Sequence, residues 1–454
     1  MKKISLFSDK QFYRDLFALA IPIMLQNSMT SFVNMLDTFM VGRLGTAEIA
    51  AVGLGNQVFF LINLTLFGIC SGSAIFTAQF WGKKDIPGIR KNLGLCLILT
   101  ITASLIFSLA SAMIPEKIIG IYSKDEAVIK SGAAYLRIIS VSFIPYAITM
   151  AFTFCLRSVE KMRLCIVATA IAITINGSLN YLLIFGVGPF PAMGVEGAAL
   201  ATVIARVVEM LIIVSATYIL KYIPAGKITE LFAFDRFYAK QFLKVTIPVI
   251  LQEMLWSTGI TSQSVIFART STDAIAAFNI TNTVSMLFWV LFLGIGNGVG
   301  VLIGKKIGEG NESIARDYAS KIVRLAPLMA AGAAMLLFPI SFLLPFIFNI
   351  SAEALAVASH FFIIMCIAYP FRAFNLCMIV GICRAGGDTV FCALYDTIIL
   401  WCFSLPLAAL AAFVFNAPVW LIYCCLFTEE PIKLFLGAWR LKSGKWLHNV
   451  TVGL

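Results

Sequence analysis

Charged residues are scarce in this chain of 454 residues: they make up 13% of it, whereas hydrophobic residues make up 60%. A typical soluble domain has about 25% charged residues. Apolar runs long enough to cross a bilayer recur here from one end to the other. Such runs predict membrane-spanning helices, whereas a membrane β-barrel would show short alternating segments. We therefore expect an all-α polytopic membrane protein in contact with the lipid bilayer.

Histidine and paired cysteines are also scarce. The chain has two histidines, His360 and His448, and its cysteines form no Cys-x-x-Cys pair. Cysteines such as Cys70 and Cys155 lie inside apolar runs, where they behave as small apolar residues. The sequence predicts no histidine-based metal site, no disulfide framework and no cofactor.

The motifs of several enzyme classes are missing from the sequence. There is no Gly-x-x-x-x-Gly-Lys-Ser/Thr loop for nucleotide phosphates, no His-Glu-x-x-His and no Gly-x-Ser-x-Gly. The formal charge of +11 is spread over short loops instead of forming one patch, which argues against nucleic acid as a partner. We expect a protein that is not an enzyme.

Charge, glycine and proline divide the chain into twelve candidate spans. Lys and Arg are concentrated in alternate loops and at both ends, so the positive-inside rule predicts a multi-pass protein of the cell (inner or plasma) membrane with both termini in the cytoplasm. The spans are 14–43, 48–81, 92–114, 128–157, 162–186, 194–221, 240–269, 274–306, 317–349, 354–384, 389–415 and 418–440.

The chain also repeats itself at an offset of 226 residues. Pro22 and Gln26 match Pro248 and Gln252, and the pattern continues without a gap for about 60 residues. Each copy has an even number of spans, so both copies have the same orientation in the membrane. We expect two pseudo-symmetric bundles of six helices around a central cleft. They are an N-terminal lobe (1–221) and a C-terminal lobe with a short cytoplasmic tail (240–454), joined by a cytoplasmic linker (222–239).

These residues resemble the multidrug and toxic-compound extrusion (MATE) family along nearly the whole chain. The matching features are Pro22, Gln26, Asp37 and Gly42 in the first span, and the segments "NGSLNYLLIFG" (176–186), "GKKIGEGN" (304–311), "CRAGGDT" (383–389) and "WRLKSGKW" (439–446). The resemblance implies export of organic, often cationic, compounds in exchange for H⁺ or Na⁺, by alternating access of two six-helix lobes.

Asp37 is an acid deep inside the first apolar run, where a carboxylate is costly and is therefore taken as functional. At 1.5 Å per residue, it lies at the same depth as Asn176 and Asn180 of the fifth span, which share one helix face. We assign these three residues to coupling-ion binding, with Na⁺ or a proton at Asp37, and the resemblance implies an essential acid at this position. The alternative is a structural ion pair between Asp37 and Arg137 of the fourth span.

The second lobe departs from the NorM-type pattern of this family. Trp256 stands where the resemblance implies Glu, and Ala373 where it implies Asp; Glu253 and Arg372 lie nearby instead. Their estimated depths in the membrane predict a charge-compensated cluster of Glu253, Arg372 and Asp396. We expect this cluster to have a structural or gating role instead of being a second site for the coupling ion. The candidates for substrate binding or gating are Gln26, Gln252, Glu253, Trp256, Arg372 and Asp396.

Two further charge pairs are predicted from local spacing. Arg206 and Glu209 are three residues apart on the sixth span and are expected to pair with each other. Glu429 and Glu430, with Lys433 close by, are expected to form a capped and solvated helix end.

Together these features predict a secondary active antiporter that exports small organic, cationic compounds in exchange for H⁺ or Na⁺. A monomer is expected. A flippase for lipid-linked saccharides has a related architecture and is the alternative, although more basic residues would be expected in its cavity. An intramembrane enzyme or a channel are the remaining alternatives.

Overall fold

The computed structural model describes residues 9–339 and 351–454, and these residues form helices joined by short loops. Over this part of the chain there is no β-strand, only an isolated bridge between Gly387 and Leu447. The prediction of an all-α polytopic membrane protein is confirmed. The helices are α1 (Lys10–Val41), α2 (Thr46–Lys83), α3 (Ile86–Met113), α4 (Pro115–Gly120), α5 (Glu126–Ile139), α6 (Phe143–Ser158), α7 (Met162–Phe185), α8 (Gly194–Ile219), α9 (Ile228–Leu231), α10 (Arg236–Thr270), α11 (Thr272–Gly308), α12 (Glu312–Leu337), α13 (Ala352–Leu376), α14 (Thr389–Ile399), α15 (Leu405–Phe413), α16 (Val419–Leu426) and α17 (Glu429–Ser443).

Several helices begin where the sequence supplies a capping side chain. Asp85 accepts a hydrogen bond of 2.9 Å from the backbone N–H of Gly88, at the start of α3. Ser271 does the same for Ala274 at the start of α11, over 3.0 Å. These bonds satisfy backbone donors that have no partner within the helix.

Two helical segments have π geometry. The first, Cys377–Cys383, continues α13, and the second, Leu400–Ser404, joins α14 to α15. The chain therefore stays helical up to Arg384, which is the predicted end of the span 354–384. This extension carries the Arg384 side chain into the interior, where it is 3% exposed.

The predicted spans coincide with helices. Over the described residues, ten helices are long and apolar enough to cross a membrane. The span predicted at 240–269 falls on α10, which is more polar, and the span at 418–440 falls on two helices, α16 and α17. The last part of the span predicted at 317–349 lies outside the described residues from 340 onward.

The chain forms two compact units. Among the described residues, the N unit comprises 25–250, and the C unit comprises 9–24 together with 251–339 and 351–453. The predicted lobes, 1–221 and 240–454 with a linker at 222–239, follow the sequence repeat and stay a prediction. The units differ from those lobes at 9–24 and 222–250, because the chain passes from one unit to the other inside two long helices, α1 and α10.

Glycines explain why each unit includes the first part of a helix from the other repeat. In the N unit, a Cβ on Gly68 of α2 would lie 2.8 Å from the Cα of Ile250. In the C unit, a Cβ on Gly294 of α11 would lie 3.0 Å from the Cα of Met24. These are matched positions of the repeat, and in both the missing side chain allows two helix backbones to approach closely.

Candidate functional site

Asp37 of α1 meets the two asparagines of α7 that were predicted to share its depth. Asn180 donates from Nδ2 to Oδ1 of Asp37 over 2.5 Å and to Oδ1 of Asn176 over 3.2 Å. Asn176 in turn donates to the hydroxyl of Thr202 on α8, over 3.2 Å. Both asparagines are buried. The three predicted residues therefore form one connected polar group inside the N unit, and Thr202 extends it.

One atom of this group has no hydrogen-bond partner. The Oδ1 of Asn180 is buried without one, although buried amide oxygens are normally bonded. Carboxylate, amide and hydroxyl oxygens are the ligands that hard cations accept, and this group supplies all three types. Among the described residues there is no cluster of three or more His, Cys, Asp or Glu side chains that could hold a metal ion.

The alternative partner of Asp37 lies elsewhere. Arg137 pairs with Glu116 over 2.9 Å, and both side chains are more than half exposed. Arg206 pairs with Glu209 over 3.1 Å, as predicted from their spacing. Within the residues that the structure describes, Asp37 makes no ion pair.

Gln26 connects α1 to the interior of the N unit. Its Oε1 accepts a hydrogen bond of 2.8 Å from Arg157 at the end of α6. Its Nε2 donates to the hydroxyl of Thr169 over 3.3 Å, and that hydroxyl donates to Glu209 over 2.9 Å. Arg157 also donates to Oδ1 of Asn27 over 3.3 Å.

Gln252 makes the matching contacts in the C unit. Its Oε1 accepts a hydrogen bond of 3.1 Å from Arg384, and its Nε2 donates to Asp396 over 3.0 Å. Arg384 pairs with Glu253 over 2.5 Å, and Asp396 pairs with Lys433 over 2.7 Å.

The predicted cluster of Glu253, Arg372 and Asp396 is wrong in its pairings. Glu253 pairs with Arg384, and Asp396 pairs with Lys433, while Arg372 lies 3.5 Å from Glu430. Depth along a helix gives the height of a side chain but not the direction in which it points, so residues at one height were grouped incorrectly.

The end of the last span is also not solvated as predicted. Glu429, Glu430 and Lys433 are 9%, 5% and 4% exposed. Lys433 pairs with Glu429 over 3.1 Å as well as with Asp396, and Asn375 donates to Glu430 over 2.6 Å. Buried charges need such partners, and each of these groups has one.

Trp256 lies in an aromatic part of the C unit. Its ring stacks on that of Trp289, with centroids 5.5 Å apart and planes at 8°. The guanidinium of Arg372 lies 5.6 Å from the ring centroids of Trp289 and of Phe427. Arg372, Trp289, Phe288 and Tyr369 line one small pocket.

Arg157, Arg384 and Thr169 were not among the residues predicted from the sequence. The signal for them was present, since an offset of 227 residues matches Arg157 to Arg384 and Thr169 to Asp396. Continuing the repeat beyond its first 60 residues, with one inserted residue, would have found them.

Comparison with known proteins places this arrangement in a family. The family model described as MatE matches residues 22–182 and 248–410, which are the two copies of the repeat. The chain belongs to the MatE family. The predicted resemblance is confirmed.

Relatives of the MatE family match along nearly the whole chain. "Uncharacterized transporter YisQ" of Bacillus subtilis is 27% identical over 450 residues, covering 97% of this chain and 96% of the relative. "Probable multidrug resistance protein NorM" of Thermotoga maritima is 25% identical over 437 residues, covering 95% and 93%.

Solved structures of MatE proteins share the fold. A crystal structure of MATE in complex with MaL6 matches with a TM-score of 0.87 at 17% identity, covering 98% of this chain and 99% of that one. An outward-facing multidrug resistance MATE transporter matches with a TM-score of 0.84 at 18% identity, with coverage of 98% and 99%.

Proposed function

We propose that the protein is a secondary active antiporter that exports small organic cations in exchange for H⁺ or Na⁺. Relatives named as probable multidrug resistance proteins support export of such compounds. The observation that carries the proposal is the position of Asp37. Its carboxylate lies within a membrane-spanning helix and accepts a hydrogen bond from Asn180. An intramembrane acid of this kind is the usual mark of an ion pathway.

The contacts of Asn180 suggest how the site exchanges its ion. An amide presents donors on one side and an acceptor on the other. With Nδ2 toward Asp37, the amide satisfies an ionised carboxylate. Rotation of the amide would turn Oδ1 toward Asp37, where it could ligate Na⁺ or accept a hydrogen bond from a protonated carboxyl group. The same movement therefore serves either coupling ion.

Alternating access links this exchange to export. The substrate enters while the protein is open to the cytoplasm and leaves on the outside, where H⁺ or Na⁺ reaches Asp37 and neutralises it. A neutral Asp37 no longer attracts a cationic substrate. One charge moving through 100 mV supplies about 2.3 kcal/mol, which corresponds to about a fiftyfold concentration ratio.

The proposal also covers the topology, the membrane, the partners and the cofactor requirement of the protein, on the basis of its basic loops and its family. The basic loops support a cytoplasmic position for both termini in the cell membrane. The partners are the lipid bilayer and small-molecule substrates, and the protein works as a monomer. It is a transporter and not an enzyme, and needs no cofactor besides its coupling ion.

The test is dye efflux from proteoliposomes, driven separately by imposed H⁺ and Na⁺ gradients. Asp37→Asn should lose efflux with either gradient, because Asn cannot exchange a charge at that position. Glu116→Gln, an exposed acid paired with Arg137, is the matched control and should transport normally. Gradient-driven efflux by Asp37→Asn at the parent rate would refute the proposed role of Asp37.

A further inference from the structure

Arg157 is a buried cation without a carboxylate. It is 9% exposed, and its hydrogen bonds go to two neutral amide oxygens, those of Gln26 and Asn27. Within residues 9–339 and 351–454, Arg157 forms no ion pair. A guanidinium stays charged under all ordinary conditions, and an uncompensated buried charge costs several kcal/mol.

The acids on neighbouring helices of the N unit are already engaged. Glu209 pairs with Arg206 and accepts a hydrogen bond from Thr169, and Asp37 accepts one from Asn180. The guanidinium also lies 5.1 Å from the centroid of the Phe154 ring. The N unit therefore supplies this cation with dipoles and a ring face but with no negative charge.

The repeat shows what is missing. Arg384 of the C unit binds Gln252 as Arg157 binds Gln26, and it also pairs with Glu253 over 2.5 Å. At the offset of 226, position 253 corresponds to position 27, which is Asn27. The C unit has a built-in carboxylate at the place where the N unit has an amide.

The unmet hydrogen bonds around Arg157 belong to groups that donate. The Nε of Arg157 and the Nδ2 of Asn27 are buried without a hydrogen-bond partner, and both are donors. The hydroxyl of Thr153, which can donate or accept, is also buried without one, and it lies one turn before Arg157 on the same face of α6. Donors beside a cation suit an anion and not a metal ion.

We infer that Arg157, Asn27 and Thr153 form a binding site for a small monovalent anion, either a free inorganic anion or the carboxylate of an organic molecule. The anion takes the part that Glu253 plays beside Arg384. It balances the positive charge of Arg157 and accepts hydrogen bonds from the three side chains. The inference concerns equilibrium binding, so it stands or fails independently of ion-coupled export.

Thermal unfolding of the purified full-length protein in detergent tests the site, with intrinsic fluorescence as the readout. One arm titrates potassium chloride, and the other titrates potassium benzoate against neutral benzamide. A ligand that binds only the folded state raises the unfolding midpoint in a saturable way. We expect such a rise for the parent protein with at least one of the two anions.

Asn27→Asp is the decisive variant because Asp has the shape of Asn and adds only the missing charge. Its unfolding midpoint without added anion should be higher than that of the parent. Its apparent affinity for the anion should be at least about tenfold weaker, because the added carboxylate already forms a charged hydrogen bond with Arg157. General salt effects are the same in both proteins. Arg157→Gln should also lose the response, and Asn27→Gln, which keeps the amide, should retain it.

The two arms separate the possible ligands. A saturable response to chloride identifies a free inorganic anion, and a response to benzoate without one to chloride identifies an organic carboxylate. Identical titrations of the parent and Asn27→Asp would overturn the inference, as would a parent protein that responds to neither anion.

Discussion

Asn180 holds Asp37 through a hydrogen bond of 2.5 Å from its Nδ2, while its own Oδ1 is buried without a hydrogen-bond partner. The two residues lie on different helices, α7 and α1, and come from positions 143 residues apart in the chain. The donor group of the Asn180 amide therefore has hydrogen-bond partners, whereas its acceptor oxygen has none.

Asn180→Asp should strengthen cation binding at this group. The variant replaces a donor by a second carboxylate beside Asp37, and two carboxylates this close repel each other unless a cation or proton lies between them. In Na⁺-driven efflux, we expect the Na⁺ concentration for half-maximal efflux to fall by about tenfold, in line with the coupling of close buried charges.

The measurement for Asn180→Asp is Na⁺-dependent dye efflux at fixed membrane potential. Asn176→Asp is a useful comparison because Asn176 does not contact Asp37 directly, and its effect should be smaller. If the parent is driven by Na⁺, an unchanged or higher Na⁺ requirement in Asn180→Asp would contradict the assignment of Asn180 to the ion site.

Glu253→Gln should destabilise the protein because it removes the carboxylate that pairs with the buried Arg384. Removing one partner of a buried pair typically costs 3–5 kcal/mol; the new amide can still accept a hydrogen bond, so we expect about 3 kcal/mol. Asn27→Gln is the control at the matching position of the repeat and should cost less, since no ion pair is lost there. Thermal unfolding in detergent measures both, and equal losses would show that the pair of Glu253 and Arg384 contributes no net stability.

The sequence predicted helices, the repeat and the polar group of Asp37 because these depend on periodicity and on depth. Asp37, Asn176 and Asn180 were grouped by height, and the i,i+4 spacing of the two asparagines fixed the face they share. The family pattern added the essential acid at position 37. These are properties of single helices.

The partners of the other charges could not be predicted in the same way. Arg137 has a height compatible with Asp37 but pairs with Glu116, and Arg372 has a height compatible with Glu253 but lies against Glu430. Helix rotation and packing decide these pairings, and a single sequence does not give either. The π segment Cys377–Cys383, which brings Arg384 inside, has no clear sequence signal.

Asp9 should contribute stability that depends on pH. Lys321 of α12 donates a hydrogen bond to it over 2.6 Å, and this bond is the main cause that lowers the pKa of Asp9 below its usual value. Because the pKa is lower in the folded state, the contribution is present above the unfolded pKa of about 3.9 and is lost as the pH falls through the folded value.

Asp9→Asn should therefore lower the free energy of unfolding at pH 7 by about 1 kcal/mol or less, as expected for a partly exposed pair. The difference from the parent should shrink as the pH falls through the lowered pKa of folded Asp9, below which Asp9 is protonated in both states. Asp15→Asn is the control, since Asp15 lies 3.8 Å from the exposed Arg14. A difference that persists unchanged at low pH would show that Asp9 acts through its shape and not through its charge.

Gly386 should be intolerant of a side chain because the end of the chain packs against it. A Cβ there would lie 2.1 Å from the carbonyl oxygen of Trp446, whose side chain is fully buried. The backbone N–H of His448 also donates to the carbonyl oxygen of Gly386, over 2.8 Å. Gly386→Ala must displace this segment, and overpacking of this kind typically costs 1–3 kcal/mol.

Gly332→Ala is the matched control and should have the opposite sign. Gly332 lies within α12, and a Cβ there would meet nothing within 4 Å. Alanine in a helix interior is more stable than glycine by about 0.5–1 kcal/mol. Thermal unfolding of both variants should therefore give a lower midpoint for Gly386→Ala and a higher one for Gly332→Ala. If Gly386→Ala were as stable as the parent, the C-terminal segment could not be packed on Gly386 as the structure has it.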